Sequence, residues 1–399
     1  MEYSRNSAKE NIHMRCYAAY ARDMDIRMSG SSGGLFPVLS QHHIKKGGIV
    51  YGAVYSDDFN VVFQRIDSMD ELTKTFTSKY VQSRMNNIAA QVAHDLNAGR
   101  SVMFCATPCQ VAGLHKYLSL RRVNTENLIT LDFICHGVPS EDVFHRFMSR
   151  YSEPSCISLN MRNKEKGWNW GGFSWEFCFE DGRKEIVNQG KVPYMKGFLS
   201  NLYLRPSCYA CKVKQQSAAD ITLGDFWGIT DVLPNVDAAS GVSCIIERTP
   251  KGSKCLSHIM DEIELFDVTY SDILKGNICL EHSAKRPIAR NKIFHRLSKT
   301  HDFDGLILSL SRRGYKSRIA NKIYSKVPHR GTSIRDLTNK NHRVFYKKKE
   351  QCCGCASCYT ICPISAIELK KDDEGFFYPI IDSTKCTGCR LCEKVCPFQ

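Results

Sequence analysis

The chain has 399 residues, 55 Lys/Arg against 41 Asp/Glu, 43% hydrophobic residues and 20 cysteines. That length suggests two or three domains, and the apolar content excludes a disordered chain. No apolar run approaches the roughly 20 residues of a membrane span, and the polar stretch Met1–Asn11 lacks the apolar core of a secretion signal. A cytoplasmic location is expected, where cysteines serve as thiols or metal ligands rather than disulfides.

Residues 1–284 read as an α/β (α+β) unit. A helix is expected over Leu35–Lys46, a strand over Gly48–Tyr55, a helix over Gln82–Asn97 and a strand over Ser101–Cys105. A helix over Gln110–Leu120, a strand over Leu128–Cys135 and a helix over Glu141–Tyr151 continue the alternation. Apolar residues at helical spacing, such as Ile88, Val92 and Leu96, carry the helix assignments. The alternation predicts a largely parallel sheet. A β-rich insertion follows, with an alternating run Phe173–Phe179 and a turn signal at Asp181-Gly182 leading into Glu185–Asn188. One strand ends in Gly-Asp-Phe-Trp-Gly, residues 224–228, and another is expected over Gly241–Thr249.

Residues 285–345 form a basic connector, expected to be partly helical. From Lys285 to Glu350 there are 19 Lys/Arg and 4 Asp/Glu, a local charge of 19 − 4 = +15, so the rest of the +14 chain is nearly neutral. The stretch reads as a solvated connector or as a docking surface for an acidic electron-transfer partner. It carries no recognisable nucleic-acid motif, so nucleic-acid binding ranks last.

Residues 346–399 hold a cysteine repeat. Cys352-x2-Cys355-x2-Cys358-x3-Cys362-Pro363 recurs as Cys386-x2-Cys389-x2-Cys392-x3-Cys396-Pro397, with a short hairpin over Glu368–Ile380 between the halves. Two intervening residues let a tight loop wrap three thiolates around three corners of an iron–sulfur cube. The fourth cysteine of each half ligates the other cluster. One 4Fe–4S cluster is therefore expected on Cys352, Cys355, Cys358 and Cys396, and a second on Cys386, Cys389, Cys392 and Cys362. Two zinc knuckles would leave half of these thiols unexplained. Cys353 lies off register and reads as a bystander. The segment is thus a small ferredoxin-like α+β domain, a carrier of single electrons.

Four further cysteines are scattered through the large unit. Cys109 follows one expected strand, Cys135 ends the next, and Cys208 and Cys211 form a CxxC. If the two strands are parallel neighbours, Cys109 and Cys135 share the carboxyl edge of the sheet, where α/β proteins bind ligands. A third 4Fe–4S cluster, buried free thiols, or a redox CxxC with bystanders all remain open on chemistry alone. The Ser29–Gly34 loop opens a helix and presents N–H groups to an anion, or is a turn with a serine cap. Asp225 and Trp227 either face a cofactor or pack beside a turn.

Across these residues the chain resembles the beta-subunit family of coenzyme F420 hydrogenases and dehydrogenases, which includes a plant hydroxymethyl-chlorophyll reductase. The resemblance spans most of residues 12–280. It runs through Ser31-Ser-Gly-Gly34, Ser78-Lys-Tyr-Val-Gln-Ser83, Thr107-Pro-Cys-Gln110, Cys135-His-Gly-Val-Pro139, the stretch 197–208 and Ile221-Thr-Leu-Gly-Asp-Phe-Trp-Gly228. It implies FAD in the large unit and a third 4Fe–4S cluster on Cys109, Cys135, Cys208 and Cys211. By carry-over, Ser31, Ser32, Gly33, Gly34, Lys79, Tyr80, Gln82 and Ser83 would contact the flavin. Lys79, His136, Arg162 and Lys166 are further candidate anion or proton partners.

The resemblance also implies an oxidoreductase passing electrons between the clusters and FAD, to or from coenzyme F420 or another small organic substrate. A redox partner protein, a ferredoxin or hydrogenase-type subunit, is implied with it. The alternative is a non-catalytic subunit wiring a partner enzyme, for example in polysaccharide biosynthesis. Relatives usually carry the ferredoxin module before the flavin unit, whereas here it comes last. That order suggests a circular permutation with neighbouring termini.

Overall fold

The computed structural model describes residues 14–168, 172–312 and 341–398, and the single positions 334, 337 and 338. The chain termini, whose proximity the permutation predicts, and residues 313–333 of the connector lie outside the described residues. Among the described residues, no helix is long and apolar enough to cross a membrane.

The fold is mixed α/β. Its strands are β1 (Arg15–Ala21), β2 (Ile49–Tyr55), β3 (Val61–Ile66), β4 (Val102–Ala106), β5 (Leu128–Phe133), β6 (Cys156–Asn163), β7 (Ser174–Phe179), β8 (Lys184–Asn188), β9 (Ile221–Asp225), β10 (Ser243–Glu247), β11 (Ile263–Val268), β12 (His342–Arg343), β13 (Ile367–Lys371) and β14 (Phe377–Asp382). Eight strands build the main sheet in the order β11-β1-β10-β9-β5-β4-β2-β3. The central run β2-β4-β5-β9 is parallel, while β3 on one side and β10, β1 and β11 on the other are antiparallel. The sheet is therefore parallel only at its centre, where each crossover carries a helix.

Two helices, Ile88–Asn97 and Pro108–Leu120, cover one face through Val92, Leu96, Val111, Leu114 and Leu118. The Leu35–Lys45 helix packs Leu35, Val38 and Leu39 on the other face. The expected helix over Gln82–Asn97 begins only at Ile88, because Arg84 bridges to Val62 beside the edge strand β3. The insertion is the antiparallel sheet β6-β7-β8, buried around Trp175. The cysteine-rich end forms the small sheet β12-β14-β13, flanked by the short helices Ser357–Ile361 and Leu391–Lys394.

This cysteine-rich unit docks on the large unit through cations, two of them, Arg205 and Arg290, buried. Arg205 is fully buried, and its guanidinium donates to the Cys352 carbonyl at 2.8 Å, the Phe377 carbonyl at 2.9 Å and Gln82 Oε1 at 3.0 Å. Arg290 forks onto Glu374 at 2.8 and 2.5 Å while also donating to the Leu204 carbonyl. Lys116 and Lys212 donate to the Cys396 and Phe398 carbonyls at 2.7 and 2.6 Å.

Candidate functional site

The parallel register of β4 and β5, Cys105 opposite Leu131, places the segments after both strands at one edge of the sheet. After β4, Thr107 caps the next helix and its hydroxyl lies 3.3 Å from Cys109 Sγ. After β5, Cys135 follows, and the Val138 N–H donates to Cys208 Sγ at 3.4 Å. The Cys211 N–H donates to Ser283 Oγ at 2.9 Å. Cys109, Cys135, Cys208 and Cys211 thus converge. Burial raises the Cys135 thiol well above its ordinary range, and the other three sulfurs add to the effect. Burial likewise pushes Cys208 up to about 12.

The C-terminal thiols form two sets. Cys352, Cys355, Cys358 and Cys396 line a cavity of about 720 Å3 at the contact with the large unit. Burial raises Cys358, and the Cys355, Cys352, Cys396 and Cys392 sulfurs add to the effect. Cys386, Cys389 and Cys392 sit together at the surface, with Cys362 packed against the same core as Cys386 and Cys392. Cys389 is exposed, whereas Cys352, Cys355 and Cys358 are buried.

These sets fit iron–sulfur clusters better than loose thiols, because donors are already aimed at the sulfurs. Arg205 approaches Cys352 Sγ at 3.4 Å, the Ala366 N–H approaches Cys362 Sγ at 3.3 Å, and Arg343 and the Gly388 N–H approach Cys386 Sγ at 3.0 and 3.4 Å. Cluster-ligating sulfur is anionic and accepts such bonds. Among the described residues, no three His, Cys, Asp or Glu side chains close around a point as a single metal ion would require.

Cys353, off register in the sequence, is buried in one cluster with Cys355, Val213 and Phe398, against which Cys109, Cys211 and Cys396 pack. Hydrogen bonding to Cys109 and Cys355 raises its thiol well above the ordinary range and pulls Cys355 down to about 6. Cys353 therefore joins the Cys352/Cys355/Cys358/Cys396 set to the Cys109/Cys135/Cys208/Cys211 set, which its spacing did not reveal.

A second cavity of about 480 Å3 opens at the carboxyl edge of β4, β5 and β9, with Cys135 in its wall. Cofactor sites span roughly 300–1,000 Å3. Ser31, Ser32, Gly34, Lys79, Tyr80 and Ser83 line it. The two segments are tied together, since Ser31 Oγ accepts the Ser78 N–H at 2.7 Å. Gly34 begins the helix at φ +83°, a conformation that favours glycine. Gly33 instead turns onto the sheet, where its N–H donates to Ser243 Oγ at 2.9 Å and an added Cβ would lie 2.8 Å from the Ser243 nitrogen. Gln82 also leaves this cavity: it lies in the wall of the larger one and donates to the Cys353 carbonyl at 3.4 Å.

Arg162, at the end of β6, is buried under the loop. It pairs with Asp225 at 2.6 Å, donates to the Ser31 carbonyl and donates to the Tyr80 hydroxyl at 3.0 Å. Lys164 donates to the carbonyls of Arg27, Ser32 and Ser240, a role the sequence did not suggest. Burial lowers Lys164 to about 7, with Arg162 and Arg27 adding to the effect and Asp225 opposing it. The Lys79 ammonium donates to the Thr77 carbonyl at 3.0 Å, and burial lowers its pKa to about 7. His136 sits in the wall, 2.6 Å from Asn201 Oδ1, with burial lowering its pKa. Trp227 also lines the cavity and stacks on Trp168 at 4.9 Å. Lys166 is exposed and lies outside the lining.

The mixed sheet and the thiol sets define an iron–sulfur protein of the electron-transfer class. Residues 99–270 match the family model for the C terminus of the coenzyme F420 hydrogenase/dehydrogenase beta subunit, and residues 351–399 match the 4Fe-4S dicluster domain. The chain thus joins a segment similar to the C terminus of that beta subunit to a segment matching a dicluster domain. Among solved structures it is similar to a chain of the F420-reducing nickel–iron hydrogenase complex from Methanosarcina barkeri, at 15% identity and a TM-score of 0.45. That alignment covers 76% of this chain and 91% of the other. No curated protein matches.

Proposed function

We propose that this chain is an iron–sulfur flavoprotein oxidoreductase. It would exchange electrons between ferredoxin-type clusters and FAD, to or from coenzyme F420 or another small organic substrate. The observation that carries the proposal is the serial order of the thiol sets. The Cys386/Cys389/Cys392/Cys362 set is at the surface. The Cys352/Cys355/Cys358/Cys396 set lies beneath it, Cys353 leads on to Cys109, and Cys135 reaches the cavity. On this reading residues 1–284 are the flavin unit, 285–345 the connector and 346–399 the dicluster unit.

Flavin, when bound, would couple one-electron to two-electron transfer. The chain's own residues would do the rest. The Ser31–Gly34 and Ser78–Ser83 segments would hold the cofactor, with Arg162 and Lys164 fixing the first segment by its carbonyls. Apolar walls from Phe36, Phe173, Phe198 and Trp227 would exclude water and accept a flat ring. Lys79 would present its ammonium to an anionic edge of the ligand.

The test is anaerobic purification followed by iron, acid-labile sulfide and flavin analysis. The proposal expects about twelve irons per chain, four for each cubane, and one flavin released on denaturation. Zinc in their place, or no flavin uptake after incubation with FAD, overturns it. With flavin bound, bleaching by reduced coenzyme F420, a nicotinamide or reduced ferredoxin would identify the donor.

A further inference from the structure

The outermost thiol set differs from the other two in its surroundings. Residues 383–390 are exposed except for Cys386, which is half-buried, so this loop is the part of the thiol chain that a second macromolecule can approach. Four cations stand around it. Arg343 donates to Cys386 Sγ at 3.0 Å, the Lys385 and Arg390 side chains are 60% and 73% exposed, and Lys394 is exposed on the following helix.

Two carboxylates share the face, and both are engaged. Asp382 is held by the Thr384 hydroxyl and Lys385, and Glu393 by Arg390. The face therefore carries 4 − 2 = +2. The inner sets are less accessible: Cys352, Cys355 and Cys358 are buried, and Cys109, Cys135, Cys208, Cys211 and Cys396 are only partly exposed, whereas Cys389 is exposed.

We infer that the Thr384–Lys394 face is the docking surface for a small acidic one-electron carrier protein, which exchanges electrons with the outermost cluster. This rests on the cluster assignment proposed above. The carrier is oxidised by one electron and the cluster reduced by one, or the reverse, with no bond made and no proton transferred. A basic ring around an exposed edge raises the encounter rate with an acidic partner and fixes its orientation. The cationic surroundings also favour the more negative, reduced cluster as the electron arrives.

The experiment uses the full chain with its clusters in place and reduced plant-type ferredoxin as the acidic probe. Stopped-flow bleaching of the clusters gives a second-order rate constant. It is compared between the wild type, the triple variant Lys385→Glu, Arg390→Glu, Lys394→Glu, and a remote control, Lys254→Glu. The substituted side chains are exposed, and iron content and the visible spectrum verify that each variant keeps its clusters.

The expected result is a loss of roughly 10- to 100-fold in the rate constant for the triple variant at low salt. The wild-type rate should fall steeply with salt and the triple variant's should not. Lys254→Glu should match the wild type, and reduction by methyl viologen, a small cationic non-protein donor, should not slow in the triple variant. A triple variant reduced by ferredoxin at the wild-type rate overturns the docking face, as does a wild type that ferredoxin does not reduce. Either outcome with iron and sulfide present leaves the cluster assignment standing, whereas a chain without iron removes the assignment first.

Discussion

Cys353 and Cys109, far apart in the sequence, meet in the buried seam between the dicluster unit and the main sheet. Cys355 packs in the same buried cluster. On the cluster assignment, the Cys353 thiol donates toward ligand sulfur, and such bonds raise a cluster's potential. A net hydrogen bond is worth about 1 kcal/mol. For a one-electron couple that is roughly 40 mV, since tenfold corresponds to 59 mV. Cys353→Ala should therefore keep its iron while one cluster shifts negative by about that amount. Cys353→Ser, which retains a donor, should shift less. A potentiometric titration followed by electron paramagnetic resonance reads both. Equal potentials in all three proteins would return Cys353 to a packing role.

Arg162 and Asp225 make a buried ion pair beneath the cavity loop, with side chains 1% and 21% exposed. Removing one partner strands the other, at a cost of about 3–5 kcal/mol for a buried pair. Asp225→Asn keeps the shape and part of the hydrogen bonding, so it should fall near the low end. Arg162→Met should also release the Ser31 carbonyl and weaken flavin binding. Urea unfolding gives the stability change, and flavin fluorescence titration gives the affinity. A loss of stability under about 1 kcal/mol in Arg162→Met would mean that the pair is not buried in solution.

The parallel centre of the sheet and the edge carrying Cys109 and Cys135 were legible in the sequence, because strand, turn and cysteine recur locally within one βαβ unit. The dicluster repeat was legible for the same reason. Of the antiparallel flanks, β10 was legible within the expected strand Gly241–Thr249, whereas β1, β3 and β11 were not. Arg15–Ala21, rich in alanine and buried almost throughout, has no two-residue alternation, so nothing marks it as β1. Val61–Ile66 is a short run that folds back on β2 across residues 56–60, and Ile263–Val268 is a short run whose partner, β1, lies at the far end of the chain. The family resemblance implies that Gln82 contacts a flavin. Its side chain turns to the Cys353 carbonyl because Arg205 and the dicluster unit supply partners there, a long-range contact that no local pattern encodes.

Lys79 gives a pH signature. Its pKa falls from the ordinary 10.5 to about 7 in the folded chain, through burial. Between those values the unfolded chain binds the extra proton, so this lysine's contribution makes stability rise with pH. Below about 7 both states are protonated, and the full penalty of burying the ammonium is present. Lys79→Met in the flavin-free protein should therefore be more stable than the wild type at pH 6, by about 1–2 kcal/mol after allowing for solvent at the cavity mouth. The gap should close toward pH 10. Thermal melts of the two proteins across that range measure it, and a gap independent of pH would show that the lysine is hydrated. The same variant should bind FAD more weakly, by about tenfold for one charge-assisted contact.

Arg205 fixes the position of the dicluster unit, and its chemistry dictates the outcome of the mildest substitution. The guanidinium spans three acceptors in fixed directions and lies 4.2 Å from the centre of the Tyr378 ring. A lysine keeps the charge but offers a single ammonium on a flexible stem, so it reaches one acceptor and leaves buried carbonyls unpaired. Each orphaned acceptor costs about 1–3 kcal/mol. Arg205→Lys should therefore lower stability by about 2–4 kcal/mol, speed hydrogen exchange around Cys352 and Phe377, and leave exchange in β4 and β5 unchanged. Because Arg205 also faces Cys352 Sγ, the variant should lose iron faster under a chelator. Uniform acceleration of exchange across both units would instead mean that they unfold together, and that Arg205 stabilises the whole chain rather than the joint.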